Sequence, residues 1–208
     1  MNRKPPGTVR IIAGRLRGSK LPVPERPGLR PTSDRVRETL FNWLQPVLPG
    51  ARVLDLFAGT GALGFEAASR GAAEVVLVER DPDLARSLRA QAERLKVANL
   101  RVDTADALAW LSRPDGRRFD VVFLDPPFAA GLWQPALAAL PPWLAPGARV
   151  YMEGPVTSPP AWPAGWQLLR EGRTREVAYM LLQAGNTRAG GGAATLAGDS
   201  NPQGAAEA

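Results

Sequence analysis

The chain has 208 residues and a formal net charge of +6, and this length predicts one domain with a sizeable core. It contains no cysteine and no histidine, which excludes a disulfide framework, a thiolate metal site and a histidine general base. We therefore expect no metal site and a chemistry that relies on carboxylates, backbone groups and positioning. The absence of an 18-residue apolar run and of a signal-peptide pattern predicts a cytoplasmic protein with no membrane partner.

Positive charge is concentrated in the first fifth of the chain. Residues 1–40 contain ten Lys or Arg and three Asp or Glu, whereas residues 41–208 contain sixteen and seventeen, so the net charges are +7 and −1. This asymmetry is typical of a phosphate-binding arm on a nearly neutral body. A basic tail that only aids solubility is the alternative. It fits residues 1–7, but apolar residues spaced around Gly14 and Gly18 predict a hairpin over about 8–22.

The remaining elements alternate in a regular order. A Pro/Gly-rich connection over 22–31 precedes a helix over about 33–44 with an apolar stripe. Short apolar strands and helices then alternate, which favours a parallel, doubly wound α/β sheet. Beyond Gly185 the chain is rich in Gly and Ala, which predicts disorder. The predicted strands are 52–57, 74–79, 100–104, 119–124 and 148–153, followed by a closing hairpin of 167–170 and 177–182.

A glycine-rich turn joins the first of these strands to a helix. Gly59, Gly61 and Gly64 match the dinucleotide-binding pattern, so an oxidoreductase has to be considered. Asp55, four residues before the first glycine, favours a different ligand. Its carboxylate would repel a pyrophosphate but attract the cationic amino-acid end of S-adenosylmethionine. Glu79 ends the next strand, where a carboxylate can accept hydrogen bonds from ribose hydroxyls in both classes of cofactor.

The segment Asp125-Pro126-Pro127-Phe128 follows the strand at 119–124. Two consecutive prolines cannot continue a central strand and offer no backbone N–H. The segment therefore presents a carboxylate, carbonyl oxygens and an aromatic face at a carboxyl strand end, where open α/β sheets bind ligands. These groups suit a planar base with an exocyclic amino group. Taken alone, an ordinary turn with a surface phenylalanine is equally compatible with the segment.

Several of these segments together resemble a known family. Asp55–Gly61, Val78–Asp81 and Asp125–Phe128 occur in the order found in class I methyltransferases that act on exocyclic amines. The blocks Arg10–Leu21 and Arg30–Leu44 narrow the resemblance, which runs from about residue 9 to 183, to the RsmD family. That family methylates N2 of one guanine in bacterial 16S ribosomal RNA.

The resemblance implies a Rossmann-like fold with a mostly parallel seven-stranded sheet, helices on both faces and an amino-terminal β-hairpin. It implies a basic arm over 1–30, a methyltransferase domain over 31–184 and a tail over 185–208. S-adenosyl-L-methionine would be the cofactor, 16S ribosomal RNA or the 30S subunit the partner, and the protein a monomer.

The resemblance also assigns roles to residues. Asp106 would accept from the adenine amino group, although it also suits the N-cap of the helix that follows it. Catalytic roles fall to Asp125, Pro126, Pro127 and Phe128. The cofactor-binding set is Asp55, Phe57, Ala58, Gly59, Gly61, Glu79, Arg80, Asp106 and Ala107. The RNA-binding set is Arg10, Arg15, Arg17, Lys20, Arg30 and Arg35.

Two other functions stay open. The Asp-Pro-Pro-aromatic segment serves adenine as well as guanine, so an adenine-N6 methyltransferase acting on DNA or RNA is one alternative. A non-catalytic RNA-binding assembly factor is the other, although such a protein need not keep Asp125. Glu153, at the end of the fifth strand, is ambiguous and is left outside the predicted site.

Overall fold

A computed structural model describes residues 7–24, 32–185 and 193–194. The strands within them are β1 (Gly7–Arg10), β2 (Lys20–Val23), β3 (Arg52–Asp55), β4 (Glu74–Glu79), β5 (Leu100–Thr104), β6 (Phe119–Leu124), β7 (Leu144–Pro155), β8 (Trp162–Pro163), β9 (Gln167–Arg173), β10 (Val177–Gln183) and β11 (Ala193–Ala194). The α-helices are α1 (Asp34–Leu44), α2 (Ala62–Ser69), α3 (Pro82–Arg94), α4 (Ala107–Leu111) and α5 (Trp133–Ala139). The predicted hairpin and the alternating order are confirmed.

Seven strands form the central sheet in the order β5-β4-β3-β6-β7-β10-β9. The first five are parallel, whereas β10 runs antiparallel to both of its neighbours. The chain builds β4 and β5 on one side of β3 and then crosses back to place β6 on the other side. This reversal between β3 and β6 is the point at which doubly wound sheets bind ligands. The predicted mostly parallel, seven-stranded sheet is confirmed.

Helices cover both faces of the sheet, because its central strands are apolar on both sides. Odd-numbered strand residues such as Val53, Phe123 and Tyr151 pack with α1, α2 and α3 in one core cluster. Even-numbered residues such as Leu54 and Leu124 pack with α4 and α5 in a second cluster. Side chains alternate along a strand, so residue parity identifies the face on which each strand-end side chain lies.

Helix starts follow local rules. The Ser33 side chain accepts from the backbone N–H of Val36 and caps α1. Asp81 caps α3, and Pro82 occupies its first turn, where a missing N–H costs nothing.

Three details differ from the sequence predictions or extend them. β3 ends at Asp55 rather than at residue 57, because the chain turns toward Gly59 after it. β7 starts at Leu144, four residues early, since Phe119 pairs with Leu144 before the register shifts. Ala193–Ala194 pair with β8, while the rest of the predicted disordered tail beyond residue 185 lies outside the described residues.

No helix in the described ranges is long and apolar enough to cross a membrane.

A buried carboxylate fixes the amino-terminal hairpin to the sheet. Glu66 of α2 accepts the backbone N–H groups of Ile12 and Ala13 at 2.7 and 3.0 Å. It also pairs with Arg70 at 2.7 Å and lies 3.6 Å from the guanidinium of Arg37 in α1. Both Glu66 and Arg37 are fully buried. No sequence pattern pointed to this network, and Arg37, which was counted in the positive charge of residues 1–40, is buried and not available to a partner.

Replacing Glu66 should therefore destabilise the whole protein. Glu66→Ala leaves the N–H groups of Ile12 and Ala13 without their acceptor and removes one of the two carboxylates beside the buried Arg37, which keeps Asp34 at 2.7 Å. Breaking a buried pair of this kind typically costs about 3–5 kcal/mol. The free energy of unfolding from urea denaturation measures this loss. Glu93→Ala, at an exposed position in α3, is the control and should change it by less than about 0.5 kcal/mol. Equal effects of the two substitutions would show that the Glu66 network does not hold the fold together.

Candidate active site

Four acidic side chains lie at the carboxyl edge of the parallel strands. Asp55 ends β3 and Glu79 ends β4. Asp125 directly follows β6, and Glu153 lies near the end of β7. All four have odd numbers and extend the rows of Val53, Leu77, Phe123 and Tyr151, which belong to one core cluster. They therefore face the same side of the sheet, the side covered by α1, α2 and α3. Among the described residues, no cluster of acidic side chains is arranged so that it could hold a metal ion.

Asp55 is buried and oriented by α2. Its Oδ2 accepts the backbone N–H of Gly64 at 3.1 Å. Burial raises the pKa of the Asp55 carboxyl to about 7, and the nearby Glu79 carboxylate adds to the rise while the Gly64 hydrogen bond opposes it. A Cβ at position 64 would collide with Leu77, so glycine is needed for this close approach. A bound cation would strongly favour the ionised form of such a buried carboxyl.

The glycine turn and Glu79 form one hydrogen-bonded unit. Gly59 and Gly61 have φ angles of +51° and +76°, in the left-handed region that favours glycine. The Glu79 carboxylate accepts the backbone N–H groups of Gly59 and Asp81, each at 2.8 Å. The turn therefore places backbone without side chains beside two strand-end carboxylates. These features fit a cofactor with a cationic amino-acid end and a ribose; contact of Glu79 with ribose hydroxyls remains a prediction.

The predicted base-binding segment forms a lip at the end of β6. Pro126 is buried, whereas Pro127 and Phe128 are exposed. Phe128 starts a 3-10 turn, and its ring lies 5.8 Å from that of Trp133, centroid to centroid. The Trp133 ring is half-buried, so the two rings together form an aromatic surface at this lip.

Glu153, left outside the predicted site, belongs to this edge. Its Oε2 accepts the hydroxyl groups of Tyr151 at 2.7 Å and Thr32 at 3.4 Å, and Trp133 Nε1 donates to its carbonyl oxygen at 3.1 Å. A signal was present in the sequence, because an apolar strand ends in an acid here as it does at Asp55 and Glu79.

The carboxylates raise one another's affinity for protons. Burial raises the pKa of Asp125 well above its usual range, and the Glu153 and Asp55 carboxylates raise it further. Burial also raises the pKa of Glu153, although the Tyr151 and Thr32 hydrogen bonds oppose the rise. Two neighbouring carboxyls of this kind titrate as a pair and tend to share a proton.

The other predicted cofactor residues lie around this edge. Phe57 is half-buried, Ala58 and Ala107 are buried, and Arg80 is exposed. Asp106 is the N-cap of α4, where its Oδ1 accepts the N–H groups of Leu108 and Ala109 at 3.0 Å. This confirms the capping role. Its second predicted role, toward an adenine amino group, is not tested by these contacts.

The predicted RNA-binding residues spread over the face that carries α1 and α3. Arg10 and Arg17 line a cleft of about 360 Å³ together with Asp34 and Glu38 of α1. Arg15 instead reaches the carbonyl oxygen of Lys96, just beyond α3. These residues, like Lys20 and Arg35, are exposed, whereas Arg30 lies outside the described residues.

Comparison with known proteins agrees with this geometry. The family model described as "Conserved hypothetical protein 95" matches residues 9–183. The chain is 48% identical over 185 residues to Ribosomal RNA small subunit methyltransferase D of Escherichia coli, covering 88% of this chain and 93% of that protein. The chain belongs to the RsmD family.

Solved structures support the same assignment. The Escherichia coli protein YhhF, 47% identical, aligns with a TM-score of 0.79 over 87% of this chain and 100% of its own. An RNA methyltransferase from Salinibacter ruber in complex with S-adenosyl-L-homocysteine shares the fold at 22% identity, with a TM-score of 0.56 over 73% of this chain and 92% of its own. The RsmD family protein described here therefore has the class I methyltransferase fold.

The raised pKa of Asp55 predicts a pH-dependent penalty. The folded protein holds the Asp55 proton up to about pH 7, whereas the carboxyl ordinarily loses it near 3.8, so stability falls as pH rises between these values. Asp55→Asn removes this penalty while keeping an oxygen that can accept from Gly64. In the ligand-free protein, the variant should melt increasingly above wild type as pH is raised from 5 to 8.

Differential scanning calorimetry across this range measures the gap in Tm. Asp120→Asn, at the amino end of the neighbouring β6, is the matched control for the chemical change. A constant gap for Asp55→Asn would contradict the proposed burial penalty.

Proposed function

We propose that the protein transfers a methyl group from S-adenosyl-L-methionine to the exocyclic N2 of one guanine in bacterial small-subunit ribosomal RNA. Membership of the RsmD family supports the ribosomal RNA and the cofactor. The observation that carries the proposal is the placement of the Asp125–Phe128 lip beside the Asp55 pocket at the β3–β6 switch point. We further infer a monomer that works in the cytoplasm on the assembled or assembling 30S subunit.

The protein's part in cofactor binding follows from the carboxylates and the glycine turn. The cofactor supplies an electrophilic methyl group on a cationic sulfur, so catalysis requires neither a metal nor a covalent enzyme intermediate. Asp55 would attract its ammonium group, and the turn at Gly59 and Gly61 allows close approach of the backbone. Glu79 would exchange part of its bonding to backbone N–H groups for ribose hydroxyls.

The lip would act on the amine rather than on the cofactor. The guanine N2 lone pair is delocalised into the ring and is a poor nucleophile. The Asp125 carboxylate and the Pro126 carbonyl oxygen would accept its two N–H bonds, which directs the lone pair toward the methyl group. Phe128, with Trp133 beside it, would stack on the base and fix its plane. Most of the rate enhancement would then come from orientation and from electrostatics at the amine.

The substrate base has to leave its stack to reach this lip. Extruding a paired base costs a few kcal/mol, whereas a base in an unpaired loop is already accessible. Ribosomal RNA loops supply such bases. The exposed Arg10, Arg15, Arg17, Lys20 and Arg35 would hold the surrounding phosphates, and Arg30 would extend the same surface.

Nucleoside mass spectrometry of small-subunit ribosomal RNA tests the proposal directly. RNA from cells that lack the protein should lose one N2-methylguanine, and expression of the wild-type chain should restore it. Loss of N6-methyladenine instead would establish the alternative substrate. Unchanged methylation would favour a non-catalytic assembly factor.

Asp125 gives the matching prediction for catalysis. Asp125→Ala should lower methyl transfer by about a hundredfold or more, the usual cost of losing one preorganised electrostatic group. Affinity for S-adenosylmethionine, measured by calorimetry, should stay within a few fold. Glu171→Gln, an exposed acid on β9, serves as the control. Wild-type turnover in Asp125→Ala would refute the proposed recognition of the amine.

The basic arm predicts a salt-dependent affinity. Neutralising Arg15, Arg17 and Lys20 to Gln should weaken RNA binding and flatten the slope of log affinity against log salt by roughly 0.7–0.9 for each lost phosphate contact. S-adenosylmethionine affinity should not change.

A triple variant with the same loss of charge is the control. Arg113 and Arg118 precede β6, and Arg149 of β7 pairs with Val121 near the amino end of β6, so all three lie away from the lip. Neutralising them should leave the slope nearly unchanged, as measured by filter binding over a salt series. Equal slopes for both triple variants would remove the arm from RNA recognition.

A further inference from the structure

Glu153 stands beside the residue that would touch the target amine. Leu124 of β6 pairs with Met152 of β7 in parallel register, so Asp125 and Glu153 follow at the same level of two adjacent strands. Both extend the row of Phe123 and Tyr151, whose rings meet edge to face with centroids 6.3 Å apart. The two carboxylates therefore face the same side of the sheet at neighbouring positions. Glu153 itself is buried.

A buried acid is expensive unless it is neutralised or has a use. No cation pairs with Glu153 among the described residues; its carboxylate is held by two hydroxyl groups, those of Tyr151 and Thr32. The acidic and phenolic groups near it are Asp125, Tyr151 and Tyr179. Tyr179 lies opposite Glu153 on β10. Its surroundings are thus acidic or neutral, an arrangement suited to receiving a positive charge.

We propose that Asp125 and Glu153 form a proton-accepting pair, in which Asp125 takes the proton released by the methylated amine and Glu153 shares it. This assignment deepens the proposed methyl transfer and rests on it. Asp125 touches the amine, and Glu153 acts through Asp125 as a positioning and proton-sharing residue. The hydroxyls of Tyr151 and Thr32 keep the Glu153 carboxylate oriented while the proton moves.

The charges balance across the step. The N2 lone pair forms the N–C bond as the S–C bond breaks, and that electron pair stays on sulfur, which becomes neutral. The nitrogen then carries the positive charge and loses one proton to the pair, whose charge changes from −2 to −1. Because the sulfonium charge disappears as the proton arrives, the net charge of the buried edge is the same before and after. A second carboxylate thus serves as the counterion before transfer and holds the proton afterward.

Proton linkage measured by calorimetry tests the pair without RNA. S-adenosylmethionine and S-adenosylhomocysteine share their amino-acid end and ribose but differ in the sulfonium charge. Titrations at pH 7 in buffers of different ionisation enthalpy give the protons released on binding each. Wild type should release more with S-adenosylmethionine, because the cation lowers the proton affinity of the pair. Both ligands carry the same ammonium group, so the part of the proton release that this group causes at Asp55 is common to both titrations.

The Glu153→Gln variant should reduce this difference, since it removes one of the two carboxyls that can release the proton and lifts the repulsion that Glu153 exerts on Asp125. Glu171→Gln should retain it. An undiminished difference in Glu153→Gln would overturn the pair, whichever base the enzyme methylates. Failure of the guanine assignment would appear separately, in the nucleosides of wild-type cells.

Single-turnover rates against pH provide the second readout. Glu153→Gln should slow methyl transfer and move the acid limb of the profile to lower pH by about one unit or more. Tyr151→Phe, which removes a hydrogen bond that stabilises the Glu153 carboxylate, should move the limb to higher pH. Shifts in opposite directions identify the pair. If Glu153→Gln does not fold, the Tyr151→Phe profile decides alone, and an unmoved limb rejects the proposal.

Discussion

The buried Glu66 carboxylate is the interaction on which the arrangement of the molecule depends. It accepts backbone groups of the amino-terminal hairpin and contacts the guanidinium groups of Arg37 and Arg70. The hairpin, α1 and α2 are thereby held as one unit against the sheet. Buried ion pairs add little net stability but make an alternative arrangement costly. Glu66 therefore specifies how the hairpin, α1 and α2 are placed relative to one another. Helix α2 in turn connects the glycine turn at one end to the basic hairpin at the other.

At the carboxyl edge of the sheet, by contrast, carboxyl groups lie near one another. Asp55, Asp125 and Glu153 lie where burial and mutual repulsion oppose their ionised forms. Such a cluster lowers the stability of the ligand-free protein near neutral pH, in keeping with the common trade-off between stability and activity. A cationic ligand offsets the repulsion. The same charges that weaken the free protein would select a sulfonium over a pyrophosphate, which separates this glycine turn from that of a dinucleotide-binding enzyme.

The placement of α1 joins these two regions. Thr32, two residues before the start of α1, donates to Glu153 at the edge of the sheet, whereas Arg37, one turn into the helix, contacts Glu66. Asp34 and Glu38 on its surface line the cleft that also contains Arg10 and Arg17. The basic surface is therefore continuous with the element that contacts the active edge. An RNA held by these arginines would be fixed relative to the lip through α1 rather than through a flexible tether.

The sequence alone determined the local features of this protein. These features depend on near neighbours in the chain, so periodicity and turn chemistry predict them. They are the apolar strands, the glycine turn, the caps at Ser33 and Asp81, and the Asp125–Phe128 lip. The family resemblance was equally readable, because its motifs are contiguous. The choice between the two uses of the glycine turn also rested on one adjacent residue, Asp55.

Only the tertiary structure decided which distant residues meet. Glu153 lies beside Asp125 because β6 and β7 pair in one particular register. The two residues are 28 positions apart in the sequence, and the sequence between them does not indicate that register. Arg37 contributed to the positive charge of residues 1–40, but helix packing buries it against Glu66. Arg15 and Arg17, two residues apart, reach different surfaces because both lie in the tight turn that Gly14 and Gly18 flank with positive φ angles. Strand register and helix packing are set by the whole core, and this is why short sequence patterns could not supply these contacts.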